Sequence, residues 1–286
     1  MNKKIAILTD STSSIDFLPH DYSNIFQVRL TVMFDQESYI DGETITVEQF
    51  YDRITKEDII PKTSQPSVGD VVETIENLKQ LGYTDVIYIP LSKALSGTYQ
   101  AGYLAKELVN DIDVHIVDTK LTAAFLGYMV LEAANLVALG KTIEEIMTHC
   151  ENLTQNSHFY FLIKDVKYLV KNGRLSNAAG FFGSLLQIVP IIEFNKEGEI
   201  VAVDKKRTMK KALAEIIDRL SGEIKGNQKI QFFVCHGMDL ELLERTKEEL
   251  GKHLDLNDII FSPIPPVVGA HVGNSCIGLG YFILQQ

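Results

Sequence analysis

A chain of 286 residues with 45% hydrophobic side chains exceeds the usual single domain and can fill sizeable cores, so two domains or one large one are expected and disorder is not. The formal net charge of −11 argues against nucleic acid or an acidic membrane surface as partner, because both need a positive face. Three widely spaced cysteines, Cys150, Cys235 and Cys276, suggest neither a disulfide framework nor a zinc cluster and fit reduced thiols in a cytoplasm.

Met1-Asn2-Lys3-Lys4 is followed by four apolar residues, too few for a signal-peptide core, so Ile5 to Leu8 reads as a first buried strand. It ends in Thr9-Asp10-Ser11-Thr12-Ser13-Ser14, a dense hydroxyl run that reads equally well as a capped turn or as part of a site. Gln27 to Met33 alternates in strand fashion. Thr46 to Gln49 has capping-box spacing ahead of a short helix. Pro61 to Ser67 is a loop in which Ser67 and Asp70 are spaced to cap a helix over 68–81, leaving Thr63, Ser64 and Gln65 without an evident structural role.

Gly82 ends that helix, and Val86 to Leu91 forms an apolar strand running into Ser92 to Gln100. The spacing of Ala101, Leu104, Ala105 and Leu108 is helical, so Ser96-Gly97-Thr98 stands at a helix start whose N–H groups suit an anion. A further strand over 114–117 closes with Asp118-Thr119. Ala123 to Leu139, interrupted by Glu132 and Asn135, falls short of the roughly 20 residues that span a membrane and reads as a buried helix, with no stable membrane insertion. Strands alternating with helices imply a mainly parallel sheet, and the polar clusters after three strands point to one shared ligand-binding edge.

The second half opens near His158 with a strand over 159–163, then a helix from Asp165 stopped by Asn172-Gly173 and an apolar helical stretch from Leu175 to Ile188. Residues 190–194 and 200–203 flank a hairpin turn at Asn195 to Glu199. Lys205 to Lys211, which includes Arg207, is a basic run read as a solvated helix start. A βαβ series over 230–261 follows, and the chain closes on a glycine-rich stretch around His271, where close backbone approach is expected. The fold class is therefore α/β: two α/β domains, 1–157 with a mainly parallel sheet and 158–286 with a mixed sheet and hairpin, and a ligand between them.

Neither the P-loop nor the Gly-x-Gly-x-x-Gly fingerprint is present, nor are Gly-x-Ser-x-Gly or His-Glu-x-x-His. No histidine pair has metal-ligand spacing, so no cofactor or metal is expected. One catalytic reading stays open: Ser96 as nucleophile, His271 as base and Asp10 or Asp118 as orienting acid, in a stand-alone serine hydrolase or acyltransferase.

Thr9-Asp10-Ser11-Thr12-Ser13, Thr63-Ser64-Gln65-Pro66, Leu95 to Gln100, Gly173-Arg174, Arg207-Thr208 and Pro266 to His271 together resemble, in order and over the full length, the signatures of the DegV family. The resemblance implies two α/β domains holding a long-chain fatty acid between them, and a cytoplasmic, non-catalytic role as the fatty-acid-binding subunit of a bacterial fatty acid kinase. An ATP-binding fatty acid kinase subunit phosphorylates the carboxylate, and a downstream acyl-phosphate acyltransferase uses the product in phospholipid synthesis. Carried over by residue, the resemblance gives the carboxylate to Thr63, Ser96 and the Gly97 backbone with Ser64 and His271 close by, and places Arg207 toward the kinase or the transferred phosphate. Phe181, Phe182, Leu185 and Leu186 are candidate tail walls.

Three departures stand out. Lys171-Asn172-Gly173-Arg174 replaces the more frequent Lys-Gly-Gly-Arg, Val189-Pro190-Ile191 lacks a lysine often found before that proline, and Asn274-Ser275 stands where Pro-Gly is common. The first two are expected away from the head-group loops.

Overall fold

The computed structural model describes residues 3–176, 188–224 and 228–284. The first run of apolar, β-branched segments builds a four-stranded parallel sheet in the order β2-β1-β6-β7, from β1 (Ile5–Asp10), β2 (Ile25–Val28), β6 (Asp85–Ile89) and β7 (Asp113–Ile116). Parallel strands need covered faces. Helices α2 (Val68–Gln80) and α3 (Thr98–Leu108) cover one, joining the core around Ala6, Leu8, Val86 and Tyr88. The expected capping box at Ser67 and Asp70 is formed, as is that of Thr46 and Gln49 at α1 (Val47–Glu57).

The alternating run over 27–33 is not one strand. β2 stops at Val28, where its partner β1 ends at Asp10, and β3 (Thr31–Phe34) belongs to a separate antiparallel sheet in the order β4-β3-β5, with β4 (Glu37–Ile40) and β5 (Lys62–Ser64). Between them the Leu30 N–H donates to Ser11 Oγ (3.1 Å) rather than to a ladder partner. Alternation survives the break, so the pattern could not mark it.

The other half forms a mixed sheet in the order β10-β9-β8-β13-β11-β12. Its strands are β8 (Ser157–Ile163), β9 (Val189–Phe194), β10 (Ile200–Lys206), β11 (Ile230–His236), β12 (Ile259–Pro263) and β13 (Cys276–Ile283). β9 and β10 make the expected hairpin, and β11 runs parallel to β12 through a helix over Leu240–Leu250, α8. The glycine-rich C-terminus supplies β13, central between β8 and β11. A Cβ on Gly278 would lie 2.7 Å from the Phe161 ring and one on Gly280 2.2 Å from Phe159 Cβ, so the glycines make room for the phenylalanines of β8. The stretch between Leu175 and Ile188, including Phe181, Phe182, Leu185 and Leu186, falls largely outside the described residues, and those four side chains lie wholly outside them.

One face of the mixed sheet packs on α7 (Met209–Glu223) and α8. The other packs on α4 (Ala123–Ala138), which is buried on nearly all sides because it also packs on the parallel sheet. Among the described residues no helix is long and apolar enough to cross a membrane. The core around α4 therefore draws on both halves of the chain, from Ile7 and Ile87 to Phe159, Phe233 and Phe282. A short helix between α5 (Ile143–Gln155) and α7, α6 (Lys167–Lys171), and the helix before β13, α9 (Pro266–Val272), complete the set. α9 leans on α1: a Cβ on Gly269 would lie 2.7 Å from both Phe50 Cε1 and the Tyr51 hydroxyl.

Candidate functional site

Because β1, β6 and β7 are parallel neighbours, their carboxyl ends lie on one edge, as the polar clusters suggested. Between this edge, the α4 face of the mixed sheet and α9 lies a cavity of about 750 Å³, its open mouth included. Of its twenty-one lining residues among those described, fifteen are apolar, among them Leu169, Phe161, Ile163, Ile192, Phe194 and Val268. The polar six are Thr12, Thr63, Ser96, Thr122, Arg174 and His271.

Four of these six gather from remote segments. Strand alternation turns Thr63 of β5 inward while Lys62 and Ser64 are exposed. Thr63 Oγ1 lies 2.9 Å from His271 Nε2. Burial, and then the charge of Arg174, lower the His271 pKa to about 4, so the ring is neutral at physiological pH. Its Nδ1 is buried without a partner among the described residues. Arg174 follows Gly173, whose φ of +67° ends α6, and its guanidinium donates to the carbonyls of Leu95 (3.2 Å) and Asn172. The bond to Leu95 sets Arg174 beside Ser96.

Ser96 Oγ accepts from the Thr98 N–H (3.3 Å) and shares a hydrogen with Thr98 Oγ1 (2.9 Å), so the hydroxyl is already engaged by the first residue of α3. Gly97 is the α3 N-cap and lies behind the cavity wall. A Cβ there would lie 2.2 Å from Gln65 Oε1, so Gln65 has a structural role after all, packing over the helix start. Ser64 is turned away, its Oγ donating to the Gln65 carbonyl (3.2 Å). Arg207 is exposed on a different groove, with Lys164 and Arg245.

The remaining catalytic ingredients are not joined. Asp10 accepts from the Leu91 N–H (2.8 Å) and from the N–H and hydroxyl of Thr12, and Asp118 pairs with Lys93 (2.7 Å). Ser96 is bonded to Thr98 and His271 to Thr63, so the members of a serine–histidine–aspartate relay sit in separate bond sets.

Arg174, Thr12 and Thr122 are site residues to which sequence reasoning gave no role. Gly173-Arg174 carried a signal, since an arginine straight after a helix-ending glycine is a placed cation. Thr12 was visible only as one hydroxyl among many, and Thr122 only as the residue before the buried helix that opens at Ala123. The first departure also needs correction: Asn172 is beside the head-group loops, because its Nδ2 donates to the carbonyls of Ala270 (2.9 Å) and Pro61 (3.3 Å) and so ties α9 to the approach of β5. In the third departure Asn274 Oδ1 accepts from the Met238 N–H (3.1 Å) and Ser275 Oγ donates to Asp239 (2.7 Å), anchoring the turn after α9.

The model of the family described as "Uncharacterised protein, DegV family" matches residues 4–284. A DegV domain-containing protein of Staphylococcus aureus is 34% identical over 283 residues, 97% of each chain, and one of Listeria innocua is 34% identical over 99% of this chain and 100% of its own. Among solved structures, DegV of Bacillus subtilis, a fatty acid binding protein, is 31% identical with a TM-score of 0.88, covering 99% of this chain and 100% of its own. A fatty acid binding DegV family protein of Streptococcus agalactiae is 27% identical at a TM-score of 0.89, over 99% and 100%. The chain described here belongs to the DegV family.

Proposed function

We propose that this protein binds a long-chain fatty acid, with the carboxylate among Thr63, Ser96, His271 and Arg174 and the tail along the apolar walls. The observation that carries the reading is an apolar cavity ending in two hydroxyls, a neutral imidazole and a guanidinium. A buried carboxylate must be met by several donors. When His271 Nε2–H donates to Thr63 Oγ1, the Thr63 hydroxyl is left to donate to the ligand, and a neutral imidazole supports this without a second cation beside Arg174. Arg174 supplies the compensating charge. The Gly97 N–H, at the start of α3, adds the helix-end potential behind it. Along the tail, burial of each CH₂ contributes about 0.8 kcal/mol.

The protein presents this carboxylate to a separate ATP-binding fatty acid kinase subunit in the cytoplasm. There a carboxylate oxygen attacks the γ-phosphorus, ADP leaves, and the acyl-phosphate passes to an acyltransferase of phospholipid synthesis. The chain itself performs no transfer. Arg207 faces the kinase: it lines an exposed groove apart from the cavity, whose walls also carry Lys164, Asp239 and the paired Arg245 and Glu241, and its always-charged guanidinium suits contact with phosphate or an acidic partner. In titrations with a long-chain acid, Arg207→Ala should match the wild type while phosphorylation by the kinase falls. Equal loss of binding and phosphorylation would overturn that assignment.

A further inference from the structure

The fatty-acid reading fixes the head group but leaves open what limits the tail. On the mixed sheet the cavity follows β8 and β9 away from His271. It begins at Ile163, whose ladder partner Cys276 also lines it, and continues along Phe161 and its partner Ile192. Ile163 and Phe161 are the β8 residues of this wall, and the four steps of strand from Ile163 to Phe159 cover about 13 Å. The last β8–β9 pair is Tyr160 with Glu193, and Phe194 closes β9 one step beyond.

At that step the strands part. A second opening, a polar crevice of about 1,050 Å³ including its mouth, enters between the start of β8 and the β9–β10 turn. Its walls include Lys120, His158, Glu193, Lys196 and Glu223. Phe194 is the one described residue that lines both the cavity and the crevice. Its ring stands 5.1 Å from that of Phe159 and 5.5 Å from that of Phe161, and Phe159 packs at 4.7 Å on Phe125 of α4. Three of the four rings are held by the core, whereas Phe194 is only half-buried.

We infer that Phe194 sets the acyl-chain length this protein accepts, its ring separating the apolar cavity from the polar crevice. The inference rests on the fatty-acid reading. A tail that fits short of the ring is buried throughout. Carbons beyond it must displace the ring or enter a crevice lined by carboxylates and lysines, and each methylene denied burial forfeits about fourfold in affinity. Phe194 is thus a specificity-determining residue at the far end from the head group.

The test is to measure dissociation constants for a series of saturated straight-chain acids with the wild type, Phe194→Ala, the milder Phe194→Leu and the larger Phe194→Trp. Wild-type affinity should rise with length to a limit. Phe194→Ala should move the limit to longer acids, regaining about fourfold per added methylene, with Phe194→Leu between, and Phe194→Trp should shorten it. Should Phe194→Ala fail to fold, the Leu and Trp variants moving the limit in opposite directions carry the same result. An unmoved limit in the folded variants overturns the role of Phe194 and leaves fatty-acid binding standing. Absence of binding by the wild type at every length overturns both.

Discussion

Two hydroxyl-rich loops follow neighbouring parallel strands and look alike as text, yet they behave differently. In the loop after β1 the polar groups are turned into the fold: Thr9 Oγ1 donates to the Ile89 carbonyl, Asp10 accepts from Leu91 and Thr12, and Ser11 accepts from Leu30. The loop after β6 is bonded too, Ser92 Oγ donating to the Gly198 carbonyl and Ser96 Oγ bonded to Thr98, but at Ser96 it meets Thr63, His271 and Arg174 along a cavity wall. The first holds the sheet edge together. The second brings a hydroxyl to the cavity beside the side chains of remote segments. What separates the two is where the bonds go, which composition does not record.

The contrast breaks first at Asp10. Asp10→Ala strips the Leu91 and Thr12 N–H groups of their buried acceptor and should cost about 2–4 kcal/mol of stability in denaturant unfolding. A loss within the scatter of surface substitutions would mean that the β1 loop is not the structural one.

His271 offers a pH test of the other side. The unfolded imidazole takes a proton near 6.5, whereas the folded one stays neutral down to about 4. Its contribution to stability is therefore complete above about pH 6.5 and falls as pH drops toward 4. Asp41, pushed up to about 7 by burial, slopes the opposite way, losing stability as pH rises over the same window. The difference between wild type and His271→Gln therefore isolates the histidine. On going from pH 7.5 to 4.5, the wild type should lose on the order of 2 kcal/mol more than the variant. Equal losses would show that His271 is protonated in the fold.

The smallest effect belongs to Ser96. Because its hydroxyl is already engaged by Thr98, Ser96→Ala should weaken fatty-acid binding by less than Thr63→Val, whose lost hydroxyl is bonded to His271; that second loss should be about 1 kcal/mol. Reversed order in titration would make Ser96 the principal ligand and its bond to Thr98 incidental.

Much of this was legible in the sequence. Capping boxes at Thr46 and Ser67, the shared edge of β1, β6 and β7, and the hairpin at Asn195 follow from local chemistry and period, and the structure has them. The break at Arg29–Leu30 was not legible, because alternation continues through a change of sheet. Nor was the strand over Cys276–Ile283, since glycines that serve to admit Phe159 and Phe161 signal close backbone approach without signalling a strand. At the site, Thr63, Ser96 and His271 are expected from the motifs and do line one cavity. Ser64 and Gly97 do not, because strand alternation turns one outward and Gln65 covers the other. Arg174 and Asn172 are also tied to segments 79 to 111 residues away, contacts that local sequence does not record.

The central claim is that the cavity holds a fatty acid. Native mass spectrometry of the protein purified without denaturant, followed by analysis of its lipid extract, tests this directly. A stoichiometric long-chain fatty acid, lost or greatly reduced in an Arg174→Ala, Thr63→Val double variant, is the predicted result. Wild-type protein that carries no fatty acid and takes none up when one is supplied would contradict it.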